Sequence, residues 1–143
     1  MRLDLNVSTL LIAVLSLVLL PLEVFAPPVC DGEVATIFPP NPLAGTTGDD
    51  VIVGSSNSET INGGDGNDRI CGRDGGDTIV GSNGNDRLFG EGGNDNLDGG
   101  PGNDYLDGGP GRDRCRDVST GSGGVNNVSV NCERSVQFNV IVN

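Results

Sequence analysis

Hydrophobic positions fall into three patterns along the chain. Residues 10–20 form an almost unbroken apolar run, interrupted only by Ser16 and followed by Leu22, Val24, Phe25 and Ala26. From residue 45 to residue 116 the apolar side chains thin out to regularly spaced positions in a Gly- and Asp-rich background. Beyond that, Val125, Val128, Val130, Val136, Phe138, Val140 and Val142 give a β-like alternation.

The middle stretch has a period of nine. Read from Gly45 it runs through eight units without an insertion, and each unit opens on Gly. Position 8 is Ile52, Ile61, Ile70, Ile79, Leu88, Leu97, Leu106 and Cys115. Position 6 is Asp50, Glu59, Asp68, Asp77, Asp86, Asp95, Asp104 and Asp113. One aliphatic residue per unit predicts a strand of about three residues, with position 8 inward and position 7 outward. The outward column is Val51, Thr60, Arg69, Thr78, Arg87, Asn96, Tyr105 and Arg114. Glycines at positions 1 and 4, among them Gly48, Gly63, Gly66, Gly75, Gly84, Gly93, Gly102 and Gly111, predict turns with backbone conformations that other residues reach under strain. Asn67, Asn85, Asn94 and Asn103 at position 5 are expected to tolerate the left-handed region there.

Composition narrows the chemistry. Aromatics are 3% of the chain and Trp is absent, so no large-residue core can form. A formal net charge of −12 makes nucleic acid an unsuitable partner and soluble cations suitable ones. His is absent, which removes the commonest general base and the commonest ligand for zinc or copper. With no Ser/His or His/carboxylate set, an enzyme is not expected. Carboxylates and backbone carbonyls are hard oxygen ligands, and crowded oxygen cages suit calcium better than magnesium. An EF-hand is excluded because its loop signature and flanking helices are missing, and collagen because Gly does not recur every third residue.

These units resemble the RTX, or hemolysin-type calcium-binding, repeat G-G-x-G-x-D-x-U-x. GGDG at residues 63–66 and GGPG at 99–102 and 108–111 match its first four positions fully. The resemblance implies a parallel β-roll in which six-residue turns bind calcium and three-residue strands build the walls. Two units make one coil, so turns stack in alternate order. Asp50, Asp68, Asp86 and Asp104 are expected along one edge, and Glu59, Asp77, Asp95 and Asp113 along the other. Unit 54–62, with Asn57 for Gly and Glu59 for Asp, is expected to be weaker, leaving about five ions. The repeats hold 14 carboxylates against 6 arginines and a thin core, so the roll is expected to fold on binding calcium.

The flanks complete the expected organisation. Residues 1–26 read as a secretory signal, with Val24 and Ala26 before the cleavage site; an uncleaved N-terminal anchor is the alternative. Without that segment, no membrane insertion is expected. Residues 27–44 form a Pro-rich arm in which 33–38 could be one strand beginning the roll, while 38–43 looks like an insertion. Residues 117–143 are expected to cap the open end. Four cysteines suit an oxidising compartment and allow three pairings, which the sequence does not decide. The preferred set is Cys30–Cys71, fastening the arm, and Cys115–Cys132, stapling the cap. The whole is expected to be an all-β, extracellular calcium-binding protein. A calcium-rigidified structural or adhesive surface protein is the alternative, and any protein or polysaccharide partner is left open.

Overall fold

The computed structural model describes residues 26–40, 42–118 and 128–137. Residues 1–25, read as most of the signal, and much of the C-terminal segment lie outside the described residues. The strands are β1 (Val29–Cys30), β2 (Glu33–Val34), β3 (Val51–Val53), β4 (Thr60–Asp65), β5 (Arg69–Asp74), β6 (Thr78–Asn83), β7 (Arg87–Gly92), β8 (Asn96–Pro101), β9 (Tyr105–Asp107), β10 (Arg114–Val118), β11 (Val128–Val130) and β12 (Arg134–Gln137). Among the described residues there is no helix.

Alternate strands pair in parallel. One sheet runs β3-β5-β7-β9-β11 and the other β4-β6-β8-β10-β12. Val51 lies beside Arg69, Arg69 beside Arg87 and Arg87 beside Tyr105, so each coil consumes two nonapeptides. The result is a β-solenoid of about four turns. Strand alternation sends position 8 between the sheets. Ile52, Ile61, Ile70, Ile79, Leu88, Leu97, Leu106 and Cys115 form one column, none more than 2% exposed. Each buried aliphatic side chain contributes about 1.5–3 kcal/mol, and the interior holds little else.

The arm enters the roll differently from the single strand the sequence predicts. Glu33–Val34 turns back on Val29–Cys30 as an antiparallel hairpin. The backbone N–H groups of Thr36 and Ile37 then donate to the Val51 carbonyl at 2.8 and 3.1 Å. Leu43 is no mere insertion. It packs with Ile37 against the core column, and its carbonyl accepts from Asn62 N–H. The two residues continue the position-8 column beyond the first repeat.

A second apolar cluster lies outside the column. Cys30 and Ala35 of the arm pack on Val53 and Cys71, with Phe38, Val51 and Phe89 around them. The cause is legible at position 9, which is Val53, Cys71 and Phe89 in the units of this sheet but Asn62, Val80 and Asp98 in the other. The arm therefore covers one wall only. Asp31 and Glu33 pair with Arg69, and Asp31 reaches Arg87 at 2.8 Å, so part of the arginine column faces the arm rather than water. Both preferred disulfides are present, Cys30–Cys71 across this cluster and Cys115–Cys132 at the far end. The described part of the C-terminal segment joins the roll itself: β11 and β12 add one parallel strand to each sheet.

Backbone strain sits where the sequence does not predict it. Asn67, Asn85, Asn94 and Asn103 do not adopt positive φ; the side chains of Asn67, Asn85 and Asn94 accept instead from the turn stacked on them. Asn85 N–H and Asn103 N–H each donate to the Oδ1 one coil earlier at 2.9 Å, and Arg112 N–H donates to Asn94 Oδ1 in the same way. Position 2 takes the left-handed conformation, at Gly64, Gly100 and Gly109 but also at Arg73 (φ 78°), Ser82 (φ 81°) and Glu91 (φ 66°). A side chain there costs about 1 kcal/mol. Arg73→Gly is accordingly expected to raise the calcium-bound protein's thermal midpoint by a few degrees. A calorimetric scan showing a lower midpoint would contradict it.

Candidate metal centre

Stacking at an 18-residue interval brings the position-6 carboxylates into two rows, one along each edge of the roll. Within a row each aspartate reaches back one coil. Asp68 Oδ1 accepts from Asp50 N–H at 2.9 Å, Asp86 Oδ1 from Asp68 N–H at 2.8 Å, and Asp104 Oδ1 from Asp86 N–H at 2.9 Å. On the other edge Asp77, Asp95 and Asp113 accept from the N–H groups of Glu59, Asp77 and Asp95, each at 2.8 Å. The two rows are those the resemblance implies.

The second carboxylate oxygen is the chemically informative one. Oδ2 of Asp68, Asp77, Asp86, Asp95 and Asp113 is buried and accepts no hydrogen bond. Each of these residues is at most 2% exposed. A buried acceptor without a donor is costly, and a buried charge without a counter-charge is costlier. In the repeats Oδ2 faces the position-1 glycine of its own turn. The point where a Cβ would stand on Gly81 touches Asp86 Oδ2 and lies 2.6 Å from the Gly99 carbonyl oxygen of the next coil. Gly63 meets Asp68 Oδ2 and the Gly81 carbonyl at 2.7 Å, and Gly90 meets Asp95 Oδ2 and the Gly108 carbonyl at 2.7 Å. Position 1 is glycine because the space is occupied, not because φ is unusual.

Position 4 answers to both demands. Gly66, Gly75, Gly84, Gly93 and Gly111 have φ between 118° and 159°. A Cβ on Gly84, Gly93, Gly102 or Gly111 would also collide with the carbonyl of the position-4 residue one coil earlier. Gly48, in the first turn, has open space around it.

Electrostatics point the same way. Burial pushes the Asp86 carboxyl up to about 7, against the pull of the Asp68 N–H, with Asp104 and Asp68 adding repulsion. Asp77 is raised to about 6, again mainly by burial. Asp68 and Asp95 shift upward for the same reason. A site that disfavours its own ionised carboxylates is one that a divalent cation would relieve. Single carboxylates set among backbone carbonyls are a hard-oxygen donor set, and they fit calcium. Among the described residues no three carboxylate or thiol side chains group as a metal site, so the backbone must supply the remaining oxygens.

The first coil differs from the rest. Glu59 already has its carboxylate engaged by the Ser55 N–H and hydroxyl. Asp50 is engaged in the same way by Thr46 N–H and Oγ1, at 2.7 and 2.9 Å, which the sequence reading did not anticipate. The signal is the Thr or Ser at position 2. Asp117 was also missed. It is buried beside Asp104 and raises that carboxyl further, after burial itself. It stands where the nine-residue register would place a position-1 glycine.

Fold and site together define a parallel β-roll whose turns hold buried oxygen donors. The model for the RTX calcium-binding nonapeptide repeat (four copies) matches residues 44–79 and again residues 80–115. The chain belongs to this family, and its repeats are of the calcium-binding kind. No curated protein and no solved structure matched the chain.

Proposed function

We propose that the chain is an exported calcium-binding protein whose roll folds as it takes up the ions. The observation that carries this reading is the series of buried Oδ2 atoms that no protein donor satisfies. Asp68, Asp77, Asp86, Asp95, Asp104 and Asp113 are assigned as carboxylate ligands. Carbonyl oxygens of turn residues, including Gly63, Gly66, Gly75, Gly84, Gly93, Gly102 and Gly111, complete the shells. Asp50, Glu59 and the Gly48 turn would serve as the weaker N-terminal end, and the count remains about five ions. Bound calcium would supply positive charge between carboxylates that otherwise repel one another. The role ascribed to the protein is binding rather than catalysis.

Export is supported by the apolar N-terminal run and by two disulfides, which persist in oxidising surroundings. Residues 1–26 would be the signal, 27–44 a fastening arm, 45–116 the calcium-binding roll and 117–143 its C-terminal closure. Titration calorimetry on Asp86→Asn tests the ligand assignment. The variant is expected to bind at least one calcium fewer than the parent, and unchanged stoichiometry would remove Asp86 from the site.

A structural or adhesive role has one observation in its favour. On the wall that the arm partly covers, the Arg87 guanidinium lies 5.6 Å from the Phe89 ring centre and 5.1 Å from that of Tyr105. The two half-buried rings are 5.7 Å apart and would offer a partner aromatic and cation–π contacts. This reading requires a roll that keeps its shape in chelator.

A further inference from the structure

We propose a further calcium site at the C-terminal end of the roll, formed by Asp113 of the last nonapeptide with the Asn131 carbonyl and Glu133 beyond it, and held by the Cys115–Cys132 disulfide. The inference rests on the calcium reading above. Asp113 is fully buried. Its Oδ1 accepts from Asp95 N–H, while its Oδ2 has no partner. In the repeats such an Oδ2 faces a glycine carbonyl of the next coil, but no further nonapeptide follows here.

The chain rebuilds the missing half from other residues. Gly108 N–H donates to the Val130 carbonyl, as Gly54 N–H does to Cys71, so Asn131 stands where a position-1 glycine would. The Asn131 carbonyl oxygen lies 2.5 Å from the point where a Cβ would stand on Gly108, beside the Asp113 side chain. Glu133 N–H then donates to the Asp113 carbonyl at 2.9 Å, one residue earlier than in the repeats, where Arg114 N–H donates to Asp95. The turn between β11 and β12 thus spans residues 131–133, where a repeat uses six residues. It has lost the position-6 aspartate; because Arg134 pairs with Arg114, the longer Glu133 stands at that place in the strand register. Glu133 and Asp113 line one open cavity of about 490 Å³. Cys132, between Asn131 and Glu133, is bonded to Cys115 of β10, whose Cα lies 5.8 Å away, and this fixes the short turn against Asp113.

Arg112 shares the cavity and lies 3.9 Å from the Glu133 carboxylate. Both side chains are mostly exposed, at 83% and 61%. Such an exposed pair is weak and yields readily to a divalent ion. Native mass spectrometry of the oxidised chain in calcium tests the site. Glu133→Gln is expected to carry one ion fewer than the parent, and Arg112→Ala the parent's number. An unchanged count in Glu133→Gln would overturn the terminal site and leave the repeats' sites standing. Loss of the same ion in Arg112→Ala would overturn it too, by reducing Glu133 to an ion-pair partner. A parent chain that binds no calcium would overturn the broader reading, so the two failures are distinguishable.

Discussion

Gly84→Ala is expected to destabilise the roll severely, whereas Gly48→Ala, at the same position of the repeat, is expected to be nearly silent. Gly84 has φ 144°, which an L side chain rarely adopts. Its Cβ would stand 2.6 Å from the Gly66 carbonyl carbon and closer still to the oxygen. That oxygen cannot move aside, because the turn beneath it is packed in the same way. Strain and overpacking together cost on the order of 4 kcal/mol, a large share of any small domain's stability. Gly48 lies in the first turn, with nothing nearer to its Cβ position than Thr46 Oγ1 at 4.0 Å. Chemical denaturation in saturating calcium checks the pair. Equal effects at the two sites would show that stacking between coils does not set the glycine requirement.

The second large effect is a reversal of the usual dependence on acidity. The folded roll holds Asp77 at about 6 and Asp86 at about 7, well above the ordinary carboxylate value of 3.8, because burial penalises the charge. Between pH 4 and pH 7 the folded state therefore binds more protons than the unfolded chain, and protons stabilise it. This contribution is complete below about pH 4 and is lost as pH rises through 6 and 7. Each additional bound proton is worth about 1.4 kcal/mol per pH unit across that window. In excess chelator, acidification from pH 7.5 to pH 4.5 is expected to restore strand structure that is absent at the higher pH. Circular dichroism that shows chelated protein losing order on acidification would contradict the burial argument. Protons and calcium are alternative answers to one problem, the row of negative charges inside each edge.

Much of this architecture was legible because it is periodic. Position 8 is the one column of the short strands that stays apolar in every unit, while positions 7 and 9 mix polar and apolar residues, and the inward Ile52-to-Cys115 column follows. The two carboxylate rows follow from pairing alternate units, as the Asp68-to-Asp86 and Asp77-to-Asp95 contacts show. What the repeat could not reveal is what breaks its symmetry. The arm docks on one wall because Val53, Cys71 and Phe89 are apolar there, a difference between odd and even units that a single consensus averages away. The asparagines were misread for a related reason. Their tolerance of left-handed backbone is a property of an isolated turn, whereas Asn67 and Asn85 sit in stacked turns and spend their side chains on the next coil's N–H. Asp117 and Glu133 lie past the last full nonapeptide, where no column exists to mark them.

One measurement bears most directly on the claim that calcium completes this fold. The purified, oxidised chain would be titrated with calcium from a chelated start at pH 7.5 while far-UV circular dichroism is recorded, with magnesium in a parallel titration. A cooperative gain of β signal is expected with calcium and none with magnesium, because carbonyl-rich turns suit the larger ion. A spectrum already rich in strand in chelator, and unmoved by calcium, would contradict it. The disulfides and the aliphatic column would then suffice to hold the roll, and the acidic rows would need another explanation.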